Sequence, residues 1–269
     1  MKKKLYFPAT ALRNLAALSL FVAFLIILQL DNHLLLIVWA IAAGLSFFEK
    51  TIRYFVLTLM AFGIGFFVYS YITTHWLINI SQDETRVLLN RLSLIVVLVP
   101  LIFFSLIFRL RFMYYWQKPQ WEEPVHNPFI WAGFRKTKVS TFLVMAMMIN
   151  FLVFLPFILN HSFSFFQGIW GFMIIFSILN GTLEEMIWRG FLLSRFSENF
   201  GNRWAVVLTS VGFGLQHYSL GFSWVSCLAF SMGGFFFGAI TVQSKSIVPA
   251  VIWHMFFNAL MVLSGMIVS

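Results

Sequence analysis

The run FFQGIWGFMIIFSILNGTLEEMIWRG, residues 165–190, decides the fold. It opens with an apolar stretch of the length that crosses a bilayer, about 20 residues. It then carries straight on into three charged side chains, Glu184, Glu185 and Arg189. A charge at the centre of a membrane helix costs roughly 2.5–3.5 kcal/mol, so three unpaired charges would cost about 8–10 kcal/mol. The charges therefore need partners.

The rest of the chain supplies the matching helices. Of its 269 residues 61% are apolar, 19% aromatic and only 10% charged, with a mean hydropathy of +0.89. Soluble domains carry about 25% charged residues, which excludes a soluble enzyme. Apolar runs fall at 15–30, 33–48, 54–77, 92–108, 139–159, 165–190, 204–219, 222–242 and 247–267. They predict an all-α polytopic membrane protein, a bundle of about eight or nine transmembrane helices. No internal repeat or linker interrupts it, so the reading is one structural domain. Residues 1–138 form its N-terminal helices and an interfacial connector, and 139–269 a helical core that holds the intramembrane charges. Cys227 is the single cysteine, which excludes an intrachain disulfide and multi-cysteine zinc sites.

The net charge of +9 reflects orientation, and no nucleic-acid partner is expected. With a cytoplasmic N-terminus, 16 of the 18 Lys and Arg fall on the inner side, from Lys2, Lys3 and Lys4 onward, leaving Arg86 and Arg91 in an outer loop. No small-x-small cleavage site follows the opening lysines, so the first span is read as uncleaved. The connector at 109–138, with Trp116, Trp121 and Trp131, is expected to lie on the cytoplasmic surface, covering the helices or guiding substrate.

On a helix Glu185 and Arg189, four apart, form an ion pair on one face. Glu184 lies about 100° away and has no basic residue at helical spacing, so it needs a partner from another helix, a proton or water. Histidines supply candidates: His217 in Phe213-Gly-Leu-Gln-His217, and His254, which shares a helical face with Asn258. If the chain turns at 197–203, Glu184 precedes the turn by 13 residues and His217 follows it by 14, which sets them level in an antiparallel hairpin. His254 and Asn258 lie 9 and 13 residues beyond Lys245 on the same side. The expected outcome is one polar active-site layer in the cytoplasmic half. His33, His75, His126 and His161 sit at loop or interfacial positions and are assigned no role. Phe213, Gly233, Gly234 and Gly238 are read as packing residues.

The sequence lacks H-E-x-x-H, G-x-S-x-G and a phosphate-binding glycine loop, and both aspartates lie in loops. A carboxylate, two imidazoles and an amide remain, and they suffice for peptide hydrolysis. Glu184 acts as general base toward a water held jointly by His217, and His254 and Asn258 donate to the oxyanion. The same residues also allow a second version in which Glu184, His217 and His254 hold a divalent metal such as zinc. No cofactor is needed for the first.

Glu184-Glu185-x-x-x-Arg189, then Phe213-x-x-x-His217, then His254-x-x-x-Asn258, in this order on successive C-terminal hydrophobic segments, resembles the CAAX-processing and bacteriocin-processing (CPBP, or Abi) endopeptidases. The resemblance covers about 140–267. It implies an intramembrane endopeptidase related to the type II CAAX prenyl proteases. Glu184 and His217 would activate water, His254 and Asn258 would form the oxyanion hole, and Glu185 and Arg189 would support them. Family substrates range from prenylated tails to pheromones and bacteriocin-related peptides.

The compact chain reads as a bacterial multi-pass protein of the plasma membrane. Its expected partners are membrane lipids and a hydrophobic or leader-bearing peptide substrate. The alternative from another class is a non-catalytic peptide-binding, transport or bacteriocin-immunity protein that uses the same polar cavity.

Overall fold

The computed structural model describes residues 9–30, 32–50, 52–110 and 113–267. Lys2, Lys3, Lys4 and Arg111, used above to orient the chain, lie outside the described residues, as does Asp31. The protein is an all-α polytopic membrane protein. The helices in order are α1 (Ala9–Leu30), α2 (His33–Phe47), α3 (Arg53–Tyr71), α4 (Asp83–Leu92), α5 (Ile95–Ile107), α6 (Val139–Ile158), α7 (Phe163–Glu185), α8 (Leu193–Phe200), α9 (Asn202–Gln216), α10 (Trp224–Ser244) and α11 (Val248–Leu263). Strands β1 (Pro124–Pro128) and β2 (Gly133–Lys138) form an antiparallel hairpin between α5 and α6.

Among the described residues six helical segments are long and apolar enough to cross a membrane. They are Ala11–Leu30, Arg53–Asn79, Asp83–Ile107, Val139–Ile158, Phe163–Phe200 and Trp224–Ser244. Leu34–Phe47 and Val248–Leu263 are apolar but shorter. Each apolar run read from the sequence overlaps a helix. The run 92–108 is broken between α4 and α5, 247–267 outruns α11, and 204–219 corresponds to the 15-residue α9, which is not among these spans. The sequence did not reveal that α4 leads into the apolar α5, or that the connector contains a hairpin.

The chain forms two compact units, one of Met1–Met60 with Arg195–Phe235 and one of Ala61–Ser194 with Phe236–Ser269. In the first, α1 packs on α2 and α9. The Trp39 indole stacks on Phe24 at 4.3 Å and donates to the Leu20 carbonyl at 2.9 Å. Gln29 Nε2 donates to the Leu215 carbonyl at 2.8 Å. Lipid tails are as apolar as these side chains, so close packing and hydrogen bonds choose helix neighbours more than burial does. Gly214 shows the closeness, because a Cβ there would lie 2.3 Å from the Cys227 carbonyl oxygen.

In the second unit α7 packs against α11 and α4, and α11 against α6. Ile169, Phe172, Phe176 and Val262 form a core cluster beneath Val87 and Leu88 of α4. At Gly181 a Cβ would meet Met255 Cγ at 2.9 Å and its backbone nitrogen at 3.1 Å, so glycine there lets α11 approach α7. Beyond Glu185 the helix widens into a π-helical stretch, Met186–Leu192, a form that recurs at functional sites. Trp188 within it is fully buried and meets Phe62 edge-on at 5.7 Å.

Candidate active site

Glu184 and Glu185 end α7, and both are buried. The 100° step between neighbouring helical residues sends them to different partners. Glu185 Oε1 accepts from Arg189 Nη1 at 2.9 Å and from His254 Nδ1 at 2.8 Å. Phe237 supports both donors: the Arg189 guanidinium lies 5.3 Å over its ring, and the His254 ring stacks on it at 4.9 Å. Glu184 Oε1 accepts from Arg91 Nη1 at 3.3 Å, and the same nitrogen reaches Asn180 Oδ1 at 3.3 Å. Glu184 Oε2 makes no hydrogen bond and faces His254 Nε2 at 3.7 Å. Asn258 is buried one turn beyond His254 on α11, its Nδ2 without a hydrogen-bond partner.

This geometry fixes where protons can sit. A carboxylate only accepts, so His254 Nδ1 is the donor toward Glu185. In the neutral ring Nε2 then carries a lone pair, directed at a second acceptor, the unbonded oxygen of Glu184. At 3.7 Å the two do not bond directly. Two acceptor atoms therefore face each other across this gap, with Glu185 on the far side of the His254 ring.

His217 belongs to the first unit, where it opens a 3₁₀ turn, His217–Leu220, at the end of α9. Its Nδ1 meets the Phe213 carbonyl at 2.7 Å, and a carbonyl cannot donate. Nδ1 therefore carries the hydrogen, and Nε2 of the neutral ring is left as an acceptor. The ring stacks on Phe230 at 4.0 Å. Phe213 thus does more than pack, because its backbone oxygen sets the tautomer. Of the other histidines, His75 and His161 stack on Tyr71 and Phe165.

One sequence expectation is corrected here: Arg91 is not in an outer loop. Of the options left open for Glu184, the structure supplies a partner from another helix, the Arg91 guanidinium. The apolar run was read as starting at residue 92, which left Arg91 outside it. In the structure α4 begins at Asp83, so Arg91 sits inside a helix and is buried against α7. Neighbouring Asn90 steadies that turn, accepting from the Tyr69 hydroxyl and donating to Thr73 Oγ1, both at 2.9 Å. Sequence reasoning also missed Asn180 and Phe237. The available signal was an arginine next to an apolar stretch in a chain with a second buried acid to neutralise.

The donor set bears on the metal version. Among the described residues no three of His, Cys, Asp and Glu are placed to hold a metal ion together. His254 Nδ1 and Glu185 Oε1 already satisfy each other. With Nδ1 donating to Glu185, Nε2 is the His254 nitrogen that a metal would take, and Glu184 Oε2 is the carboxylate oxygen facing it.

Residues 166–260 match the family model described as Rce1-like, type II CAAX prenyl endopeptidase Rce1-like. Over this stretch, about a third of the chain, it is similar to the type II CAAX prenyl endopeptidases. It is a multi-pass membrane protein. The segment matched to the CAAX proteases contains Glu184, Glu185, Arg189, His217, His254 and Asn258, whereas Arg91 and the β-hairpin precede it. No curated protein and no solved structure matches the chain.

Proposed function

We propose that the protein is a glutamate-type intramembrane endopeptidase that hydrolyses a peptide bond in a membrane-associated peptide or protein tail. The observation that carries this reading is the division of labour in Glu184: Arg91 holds one oxygen while the other, unbonded, faces His254. Glu185 also leaves Oε2 without a hydrogen bond, so what sets Glu184 apart is that its unbonded oxygen faces an imidazole nitrogen across 3.7 Å.

In the proposed reaction Glu184 Oε2 takes a proton from water as the water oxygen bonds to the scissile carbonyl carbon. The carbonyl electron pair moves to its oxygen, and Asn258 Nδ2 donates to the resulting oxyanion. His254 donates as well once Nε2 holds the proton, and Glu185 stabilises the imidazolium through Nδ1. One such donor is typically worth about 2.7–4 kcal/mol. When the intermediate collapses, the carbonyl re-forms, the C–N bond breaks and the proton passes to the departing nitrogen. We assign His217 Nε2 a second hold on the water. The order of motifs in the matched segment and the acceptor tautomer of His217 support that assignment.

For substrate we favour a hydrophobic or leader-bearing peptide, of the kind released in bacteriocin or pheromone processing, and for location a bacterial plasma membrane with the N-terminus cytoplasmic. The crowding of Lys and Arg into alternate connections supports that orientation. The test compares peptides recovered from membranes bearing the wild-type chain with those from membranes bearing Glu184→Gln at equal protein level. Cleavage products present only with the wild type are expected. Unchanged processing by Glu184→Gln would reject the mechanism and favour a peptide-binding or immunity role.

A further inference from the structure

The connector ahead of α6 is stitched across the ends of three helices of the second unit. Val139 and Ser140, at the start of α6, donate to the carbonyls of Glu123 and Trp121 at 3.0 and 3.1 Å. Gln120 donates to the carbonyl of Ser244, the last residue of α10, at 2.9 Å, and Gln243 Nε2 to that of Pro124 at 2.8 Å. Ile247, just before α11, donates to the Tyr115 carbonyl at 3.0 Å. Since α6 and α10 are membrane-spanning by length and composition, the β-hairpin leaves the body of the protein at the level where those spans end, which is the bilayer interface.

The hairpin has a fixed base and a projecting tip. Val125 and Ile130 are fully buried and anchor it. Near the tip, Asn127 pairs with Arg135 and Pro128 with Gly133, so Phe134 is the extra residue of a bulge, a device that re-aims a side chain. Phe134 is 92% exposed and Phe129 52%. Arg135 and Lys136, next along the strand, are exposed too, while Lys138 is engaged by Glu122. The connector from 109 to 138 holds six Lys and Arg against two Glu.

Two phenylalanines facing outward beside two unengaged cations, at the level where spans end, match the chemistry of one surface. Anionic phospholipid offers phosphate to the cations and an acyl boundary to the rings. We propose that the hairpin Pro124–Lys138 is a lipid-binding element that inserts Phe134 and Phe129 at the interface and engages anionic headgroups through Arg135 and Lys136. This goes beyond the proteolytic reading and does not depend on it. A hairpin held on the bilayer would also fix the height at which a membrane-bound peptide meets the protein.

The test uses the full chain in lipid nanodiscs. Phe134→Cys in a Cys227→Ala background accepts a nitroxide at one position, and its collisions with oxygen and with a water-soluble nickel chelate report depth. The label is expected about 5 Å deeper in discs containing anionic phosphatidylglycerol than in purely zwitterionic discs. Arg135→Gln with Lys136→Gln should abolish that difference. A label as open to the nickel chelate as one in water, in both disc types, would overturn the proposal. So would equal depth in both lipids, and so would shielding that arises only when a peptide substrate is added, which would give the surface to peptide instead.

Discussion

Arg91 on α4 donates from Nη1 to Glu184 Oε1 at 3.3 Å, so a helix that precedes the family-matched segment neutralises the acid at the centre of its first motif. Asn180 Oδ1 receives the same nitrogen and fixes the direction from which the cation approaches. The other carboxylate oxygen is left turned toward His254.

Replacing Arg91 by Met leaves a buried carboxylate without its cation. Breaking a buried pair from one side costs about 3–5 kcal/mol. Arg91→Met should unfold at a clearly lower temperature in detergent. Adding Glu184→Gln to the same chain should recover most of that loss while cleavage stays abolished. An unchanged unfolding temperature for Arg91→Met would show that the pair carries no stability.

Glu185 Oε1 serves two donors, Arg189 and His254. Glu185→Gln keeps an oxygen there but removes the charge that both donors face. Thermal stability should fall by roughly 3 kcal/mol, as for any buried pair broken from one side. In turnover assays kcat should fall with KM little changed, because His254 loses the group that balances its proton. A fall in KM alone would contradict this.

The helices were legible because apolar runs of spanning length have few alternatives in a chain with so little charge. The Glu185–Arg189 pair was legible too, since four-residue spacing brings two side chains together on any helix. Arg91 was hidden because its partner is 93 residues away and no periodicity links them. Asn180 stood in the quoted motif, yet nothing in an isolated sequence assigns a carboxamide to an arginine on another helix. The β-hairpin was hidden in a connector whose prolines and tryptophans signal an interface rather than a strand. The tautomer of His217 depends on a backbone carbonyl, and every residue type carries one.

Gly181 is the residue that lets α11 approach the two acids. A Cβ there would press on Met255 Cγ, which can swing aside, and on the Met255 backbone nitrogen, which cannot. Overpacking of this kind typically costs about 1–3 kcal/mol. Gly181→Ala should be mildly destabilised and Gly181→Val more so. Both should lose activity beyond their loss of stability, because His254 lies on the displaced helix one residue before Met255. Met255→Ala should rescue Gly181→Ala only in part, and full rescue would show that the backbone contact is unimportant.

Chelation tests the donor set. In the proposed glutamate-base reaction Glu184 itself activates the water, so no bound metal is needed. On that reading, incubating the purified protein with a strong zinc chelator and then removing the chelator should leave kcat unchanged. Loss of activity that zinc alone restores would overturn the glutamate-base version.

Asn258 separates a functional residue from a structural one. Its Nδ2 is buried and makes no hydrogen bond, so in the resting protein the amide costs stability instead of adding to it. Asn258→Leu keeps the branched shape and removes the polar group but is bulkier, so the gain from losing the amide offsets the added crowding and the variant should be about as stable as the wild type. If Nδ2 meets the oxyanion, the same change should lower kcat by about 100- to 1000-fold, the usual loss for one such donor. KM should stay close to the wild-type value, because the bond forms only as charge develops on the substrate oxygen. Asn258→Asp, equal in shape but an acceptor where a donor is needed, should be equally inactive. A stable Asn258→Leu that cleaves within about tenfold of the wild-type rate would remove Asn258 from the oxyanion site.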